Sequence, residues 1–181
     1  MDQAKKVNVK IKKLRADATI PQYARALDAG FDLVAVDDVV ILPGESKKIP
    51  TGLAFALPEG YELQIRPRSG IGTKTKLRVS NAPGTVDSGF RGEVCVLLDN
   101  ISLFAPWEQV CVLGADGKSV FERDNNGEPV RYERGTYMIK KGDRIAQGVI
   151  AAVPVAKFEE VDELDETERG TGGFGHSGVK A

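Results

Sequence analysis

Apolar and polar residues alternate in short runs along most of this chain. Val7, Val9 and Ile11 interleave with Asn8, Lys10 and Lys12, and Leu53, Phe55 and Leu57 follow Pro50-Thr51-Gly52. Tyr61, Leu63 and Ile65 follow a turn at Pro58-Glu59-Gly60, and Val94, Val96 and Leu98 alternate in the same way. Further strands are expected over 39–42, before the break at Pro43-Gly44, and over 145–155. A period of two, punctuated by Gly and Pro, predicts strands joined by turns. No amphipathic helical pattern runs for more than a few turns. The expected class is therefore all-β, a compact barrel or jelly roll.

Two regions break the pattern. Residues 104–137 carry turn signals at Asp116-Gly117 and Asn126-Gly127 among polar residues, which predicts one or two hairpins added to the body. From 159 the chain is acidic, and 169–178 is rich in glycine with one aromatic, Phe174. Such a tail cannot build a core. It is either a loose end or an arm that orders over a ligand. The expected division is a β-barrel domain over 1–158 and an arm over 159–181.

Composition narrows the partners. The chain has 181 residues, enough for one domain with a real core, and 25 basic residues against 26 acidic ones. This balance gives no reason to expect nucleic acid or an anionic membrane, so an anionic ligand needs a local cluster. No apolar run is long enough to span a bilayer, and the N-terminal residues lack the apolar core of a signal peptide. A cytoplasmic location is expected. Cys95 and Cys111 have no metal-ligand spacing and sit in apolar alternation, which predicts buried free thiols. The one histidine, His176, lies in the tail. That argues against a held Ser-His-Asp triad and against a zinc centre.

The candidate chemistry lies in five segments. Residues 81–94 place Asp87 between Pro83-Gly84 and Gly89, with strand alternation following. This predicts a β-hairpin holding an acid at its mouth, where it can act as a general base. Alone, Asp87-Ser88-Gly89 is ordinary turn chemistry. Arg66-Pro67-Arg68-Ser69-Gly70 offers guanidinium groups, a hydroxyl and open amides, the elements of a phosphate cradle, though not a Walker loop. Asp32 is a carboxylate in an apolar strand and needs a partner or a cation. Gly142-Asp143-Arg144 opens another strand, on which Arg144 and Gln147, three apart, are expected on opposite faces. The tail 169–178 is the fifth.

In that order, the five segments resemble the five motifs of the trimeric dUTPase family, over almost the whole chain. The resemblance implies a jelly-roll-like subunit, a homotrimer with exchanged arms and sites shared between chains. It implies Mg2+-assisted hydrolysis of dUTP to dUMP and pyrophosphate, which limits uracil in DNA. Asp87 matches the aspartate that activates water for in-line attack at the α-phosphorus, and Gln147 matches a group reaching the α-phosphate region. Asp32 matches a residue that supports the metal through its waters. Arg68, Ser69 and Gly70 match the phosphate-holding motif. Asn81, with the backbone of Gly84, Thr85, Val86, Asp87 and Cys95, matches the uracil-reading segment. Arg169 matches a contact to the terminal phosphate, and Phe174 and Gly175 match the arm that stacks on the base.

Two departures stand out. Phe90 occupies a position where the family most often has tyrosine, under the deoxyribose. It keeps a wall against a ribose 2′-hydroxyl and loses only the phenol. The stretch 104–137 is long, as in some bacteriophage members. It is either a surface hairpin with no role or a docking surface for a regulatory protein, with Trp107, Phe121 and Tyr132 as anchors. A dCTP deaminase on the same fold is disfavoured, because Leu97 stands where that reaction needs a glutamate. A binding module remains compatible with the enzyme, and a general phosphatase leaves the 81–94 segment unexplained.

Overall fold

The computed structural model describes residues 6–105 and 107–173. Its longest strand, β15 (Arg144–Ala152), lies between β2 (Phe31–Val34) and β6 (Tyr61–Arg66), and β8 (Gly84–Val86) adds to the far side of β6. All three pairings are antiparallel. A second sheet has the order β4 (Ser46–Pro50), β9 (Cys95–Asn100), β7 (Leu77–Val79). A third has the order β12 (Ser119–Val120), β11 (Val112–Gly114), β14 (Tyr137–Ile139), β3 (Val39–Ile41). Two-stranded pairs join β1 (Lys10–Lys13) to β5 (Leu53–Ala56), and β10 (Glu108–Gln109) to β13 (Tyr132–Glu133). One short helix, α1 (Ser69–Lys74), follows β6. No helix of the described residues is long and apolar enough to cross a membrane.

The alternation explains the packing. Leu63 and Ile65 of β6, Leu33 of β2, Ile145 of β15, Ile49 of β4, and Val96 and Leu98 of β9 turn into one shared core. Except at Ile145, where Ala146 is buried too, their neighbours in sequence are less buried, as a period of two requires.

Three features differ from the sequence reading. The segment 81–94 does not form a paired hairpin: β8 pairs with β6, whereas β9 pairs with β4 and β7. The reason is the competing turn between β4 and β5. Val94 N–H donates to the Leu53 carbonyl at 2.8 Å, Thr51 Oγ1 donates to the Val94 carbonyl at 2.6 Å, and Gly52 N–H donates to the Glu93 carboxylate at 2.7 Å. These bonds pull residues 93–94 into the other sheet.

The second difference is in β15. The pairing with β2 shifts register between Arg144 and Ala146, so Ile145 and Ala146 are both buried while Arg144 and Gln147 are both exposed. This β-bulge brings two side chains onto one face that regular spacing would have separated.

The third concerns 104–137. Both expected hairpins form, β11 with β12 around Asp116-Gly117 and Arg123 with Pro129 around Asn126-Gly127, but the stretch is woven into the body rather than appended: β11 pairs in parallel with β14, which pairs with β3. Tyr132 donates a hydrogen bond to Glu122 within the stretch, and Lys140 pins it to the body by bridging Glu122 to Asp38. Trp107 and Phe121 are exposed. Residues 153–173 form no strand or helix and leave Val155, Phe158 and Leu164 exposed.

Candidate functional site

The predicted residues collect in two places. The first is a cleft of about 490 Å3 bounded by Asn81, Gly84, Thr85, Val86, Asp87, Phe90 and Cys95. Its remaining walls are Lys48, Ile65, Glu93, Val94 and Leu97. Val86 and Ile65 reach it from paired strands of one sheet, and Cys95 and Leu97 from the other. The cleft is therefore the seam between two sheets, opened where 87–94 crosses from one to the other. Asn81 packs over Gly84 so closely that a β-carbon there would press on its amide. Asp87 sits at the lip, exposed, with its carbonyl taking the Phe90 N–H at 3.1 Å. Its carboxylate accepts no hydrogen bond from the described residues, so it is open to a water or a ligand. Cys95 is half-buried in this wall rather than sealed in the core. Burial pushes its thiol pKa up, with Glu93 adding to the effect. Cys111 is also free and half-buried.

The second place is an ion-pair cluster across β2, β15 and the end of β6. Arg68 Nε donates to Asp32 at 2.8 Å, Arg144 donates to the other Asp32 oxygen at 3.2 Å, and Arg68 also reaches the Arg144 carbonyl at 3.2 Å. This answers the expectation that Asp32 needs a cation. Gln147 stands beside Asp32 in the strand register, and Arg66 stands on its other side. Ser69 and Gly70 open α1 immediately after Arg68. Gly70, Arg68 and Arg144 line a separate cleft of about 360 Å3 together with Lys74, Asp143, Ala115 and Asp116.

The two places are far apart. In the register of β6 and β8, Val86 faces Leu63 and Gly84 faces Ile65, so Asp87 lies beyond Leu63 toward Glu62. Asp32 and Gln147 stand level with Arg66, at the other end of β6. About four residues along and three strands across separate Asp87 from Asp32, on the order of 20 Å.

Arg169 caps a small turn, its Nε donating to the Gly172 carbonyl at 2.8 Å. Phe174 and Gly175 lie outside the described residues. Among the described residues no group of three or more His, Cys, Asp or Glu could hold a metal ion by itself. A Mg2+ held mostly by phosphate oxygens and water needs no such cage. Lys48 and Glu93 were missed by sequence reasoning, and Leu97 was noted only as standing where a deaminase needs a glutamate. Only the alternation placing Cys95 and Leu97 on one face of β9 hinted at them.

A seam of this size in an all-β frame, with Asn81 and Asp87 at its edge, suits a small ligand. Comparison with known proteins gives it a class. A sequence model of the dUTPase family matches residues 16–103 and 129–178. A deoxyuridine 5'-triphosphate nucleotidohydrolase of Nautilia profundicola is 46% identical over 172 residues, covering 95% of this chain and 99% of that protein. The one from Wolinella succinogenes is 43% identical over 178 residues, covering 98% and 99%. Among solved structures, the dUTPase of Staphylococcus bacteriophage 80alpha with dUPNHPP superposes with a TM-score of 0.88 at 32% identity, covering 95% of this chain and 99% of that one. The dUTPase from phage phi11 of S. aureus gives a TM-score of 0.79 at 27% identity, covering 88% and 99%. The chain belongs to the dUTPase family, and its mostly β architecture with one short helix is the dUTPase fold.

Proposed function

We infer that the chain is a deoxyuridine 5'-triphosphate nucleotidohydrolase, splitting dUTP into dUMP and pyrophosphate. The observation that carries this reading is the seam cleft, where Asn81, the backbone of 84–87, Phe90 and Cys95 converge. Asn81 and the neighbouring backbone groups supply fixed donors and acceptors for a uracil edge. Cytosine would leave those groups unpaired, which penalises dCTP. Phe90 forms a wall beside the sugar and disfavours a ribose 2′-hydroxyl.

Asp87 is the general base of this reading. Its exposed carboxylate at the lip accepts the proton of a water attacking the α-phosphorus in line. Arg68, Ser69 and Gly70 hold the phosphates, with Asp32 fixing the Arg68 guanidinium in place. Gln147, on the Arg144 side of the bulge, orients the α-phosphate region. Mg2+, when bound, would offset the charge developing on the leaving pyrophosphate. Asp32, already accepting from two arginines, suits a supporting role through metal-bound waters.

The separation of Asp87 from the Asp32 cluster supports sites assembled between chains in a homotrimer. One copy supplies the base-reading cleft, another the phosphate cluster, and an arm carrying Arg169, Phe174 and Gly175 closes over both. The exposed apolar residues of 153–164 suit an arm that leaves its own subunit. Binding of a regulatory protein through 104–137 is a second, compatible role. Exposed Trp107 and Phe121 favour it.

The test is pyrophosphate release with Mg2+ from dUTP, dCTP, dTTP and UTP, with Asp87→Asn as control. Release from dUTP alone, lost in the variant, is expected, and silence on dUTP overturns the reading. Mixing Asp87→Asn chains with Arg68→Ala chains tests sharing: recovered activity is expected, and none argues for a site within one chain.

A further inference from the structure

The turn between β11 and β12 touches the helix that follows the phosphate-motif arginine. Gly117 has φ of +78°, and a β-carbon there would meet the Lys74 carbonyl oxygen at 2.6 Å and Lys74 Cβ at 3.3 Å. Both the backbone angle and the space exclude an L side chain. Lys74 is the last residue of α1, whose first two residues are Ser69 and Gly70. The turn is also stiff. Gly114 N–H donates to the Lys118 carbonyl at 2.8 Å, Gly117 N–H to the Gly114 carbonyl at 2.9 Å, and Lys118 N–H to the Asp116 carboxylate at 3.0 Å. Behind it Val112 is fully buried and Ala115 packs against the core.

The same turn lines a cleft. Ala115 and Asp116 share its wall with Arg68, Gly70, Lys74 and Arg144. Three cationic side chains line it, two of which, Arg68 and Arg144, are already paired with Asp32. Of the two acids in the lining, Asp143 accepts the Lys140 N–H at 2.9 Å within its own turn. Asp116 is exposed, and the Lys118 N–H, with the Lys118 ammonium 3.4 Å away, holds its carboxyl below the ordinary value.

We propose that the β11–β12 turn is a wall of the polyphosphate subsite, in which Gly117 positions α1 and Asp116 sets the charge of the cleft. This rests on the reading that Arg68, Ser69 and Gly70 hold a nucleoside triphosphate tail. A carboxylate in the same wall as these cations opposes anion binding. It holds affinity for the phosphate tail below what those cations alone would give, and so favours release of pyrophosphate. The stretch 104–137 then serves the reaction directly, as a positioning and specificity element.

Asp116→Asn keeps the turn, because an amide oxygen still accepts the Lys118 N–H. Gly117→Ala forces the turn away from α1. The measurement is steady-state kinetics on the full chain, with inorganic pyrophosphate and dUMP as separate competing inhibitors. Asp116→Asn is expected to lower the KM for dUTP and the inhibition constant of pyrophosphate by about 3-fold, while Gly117→Ala raises both by about 5-fold. Inhibition by dUMP is expected to change less than about 2-fold in either variant, since its one phosphate reaches little of this wall. An unchanged pyrophosphate constant in Asp116→Asn overturns the proposal. So does a parallel change for dUMP, which would mean a general disturbance. If Gly117→Ala does not fold, Asp116→Asn decides alone. If the unaltered protein releases no pyrophosphate from dUTP, the functional reading fails separately. Titration with inorganic tripolyphosphate then decides: tighter binding by Asp116→Asn supports the wall, and equal binding overturns it.

Discussion

The side-chain amide of Asn81 lies over Gly84 so closely that a β-carbon on Gly84 would come 3.0 Å from its nitrogen and 3.2 Å from its oxygen. The smallest residue is thus what lets Asn81 rest in the cleft. Gly84→Ala is expected to tilt the amide out of register with a bound base and raise the KM for dUTP about 10-fold, close to one lost hydrogen bond. The fold should hold, since the amide is a side-chain end that can move. Kinetics together with a melting curve check this. An unchanged KM would mean that Asn81 does not read the base.

Asp32 and Arg68 form the better-aligned half of the cluster, with side chains 21% and 23% exposed. A double-mutant cycle on stability, using Asp32→Asn and Arg68→Gln, is expected to give a coupling of about 1–2 kcal/mol. Asp32→Asn alone should lower kcat as well, because it frees the guanidinium proposed to hold the phosphates.

The latch at Glu122 has a pH signature. Lys140 and then Tyr132 hold the Glu122 carboxyl below its ordinary value of 4.5. A depressed folded-state pKa gives stability that is present above the unfolded value and lost as pH falls through the folded one. The stability difference between the natural chain and Glu122→Gln should therefore be full at neutral pH and shrink below about pH 4.5. Tyr132, pushed up to about 12, stays neutral throughout that window. Denaturant melts at pH 7, 5 and 3.5 check it.

Phe90 gives a specificity prediction. Phe90→Ala should raise turnover of UTP relative to dUTP by about 10-fold, the scale of a removed apolar contact. Phe90→Tyr should leave the ratio near that of the natural chain. Competition between UTP and dUTP measures it.

Core packing makes the last prediction. A β-carbon on Gly148 would overlap the Phe31 ring and come 3.0 Å from a Leu63 methyl. Overpacking between three central strands should cost about 2–3 kcal/mol in Gly148→Ala, read by chemical denaturation.

Much of this was legible beforehand. The strands at 53–57, 61–65 and 94–98 follow from alternation, because each has one face on the core. That Asp32 would need a cation also followed, from the cost of a carboxylate in an apolar strand. Its partners did not, because Arg68 and Arg144 are separated from it by 36 and 112 positions. The crossing of 87–94 between sheets was hidden for the same reason: the bonds from Thr51, Gly52 and Leu53 that cause it are distant in sequence. The approach of Gly117 to Lys74 left only the mark of a turn glycine, which any hairpin would carry.

The register shift between Arg144 and Ala146 has a consequence for how this strand can vary. One residue taken out of 144–147, or one added, would exchange inside for outside along the rest of β15. The buried Ile145 and the outward Gln147 could not both keep their places. Side chains here can change in kind, but the number of links between Arg144 and Gln147 is fixed by the body on one side and the Asp32 ion-pair cluster on the other.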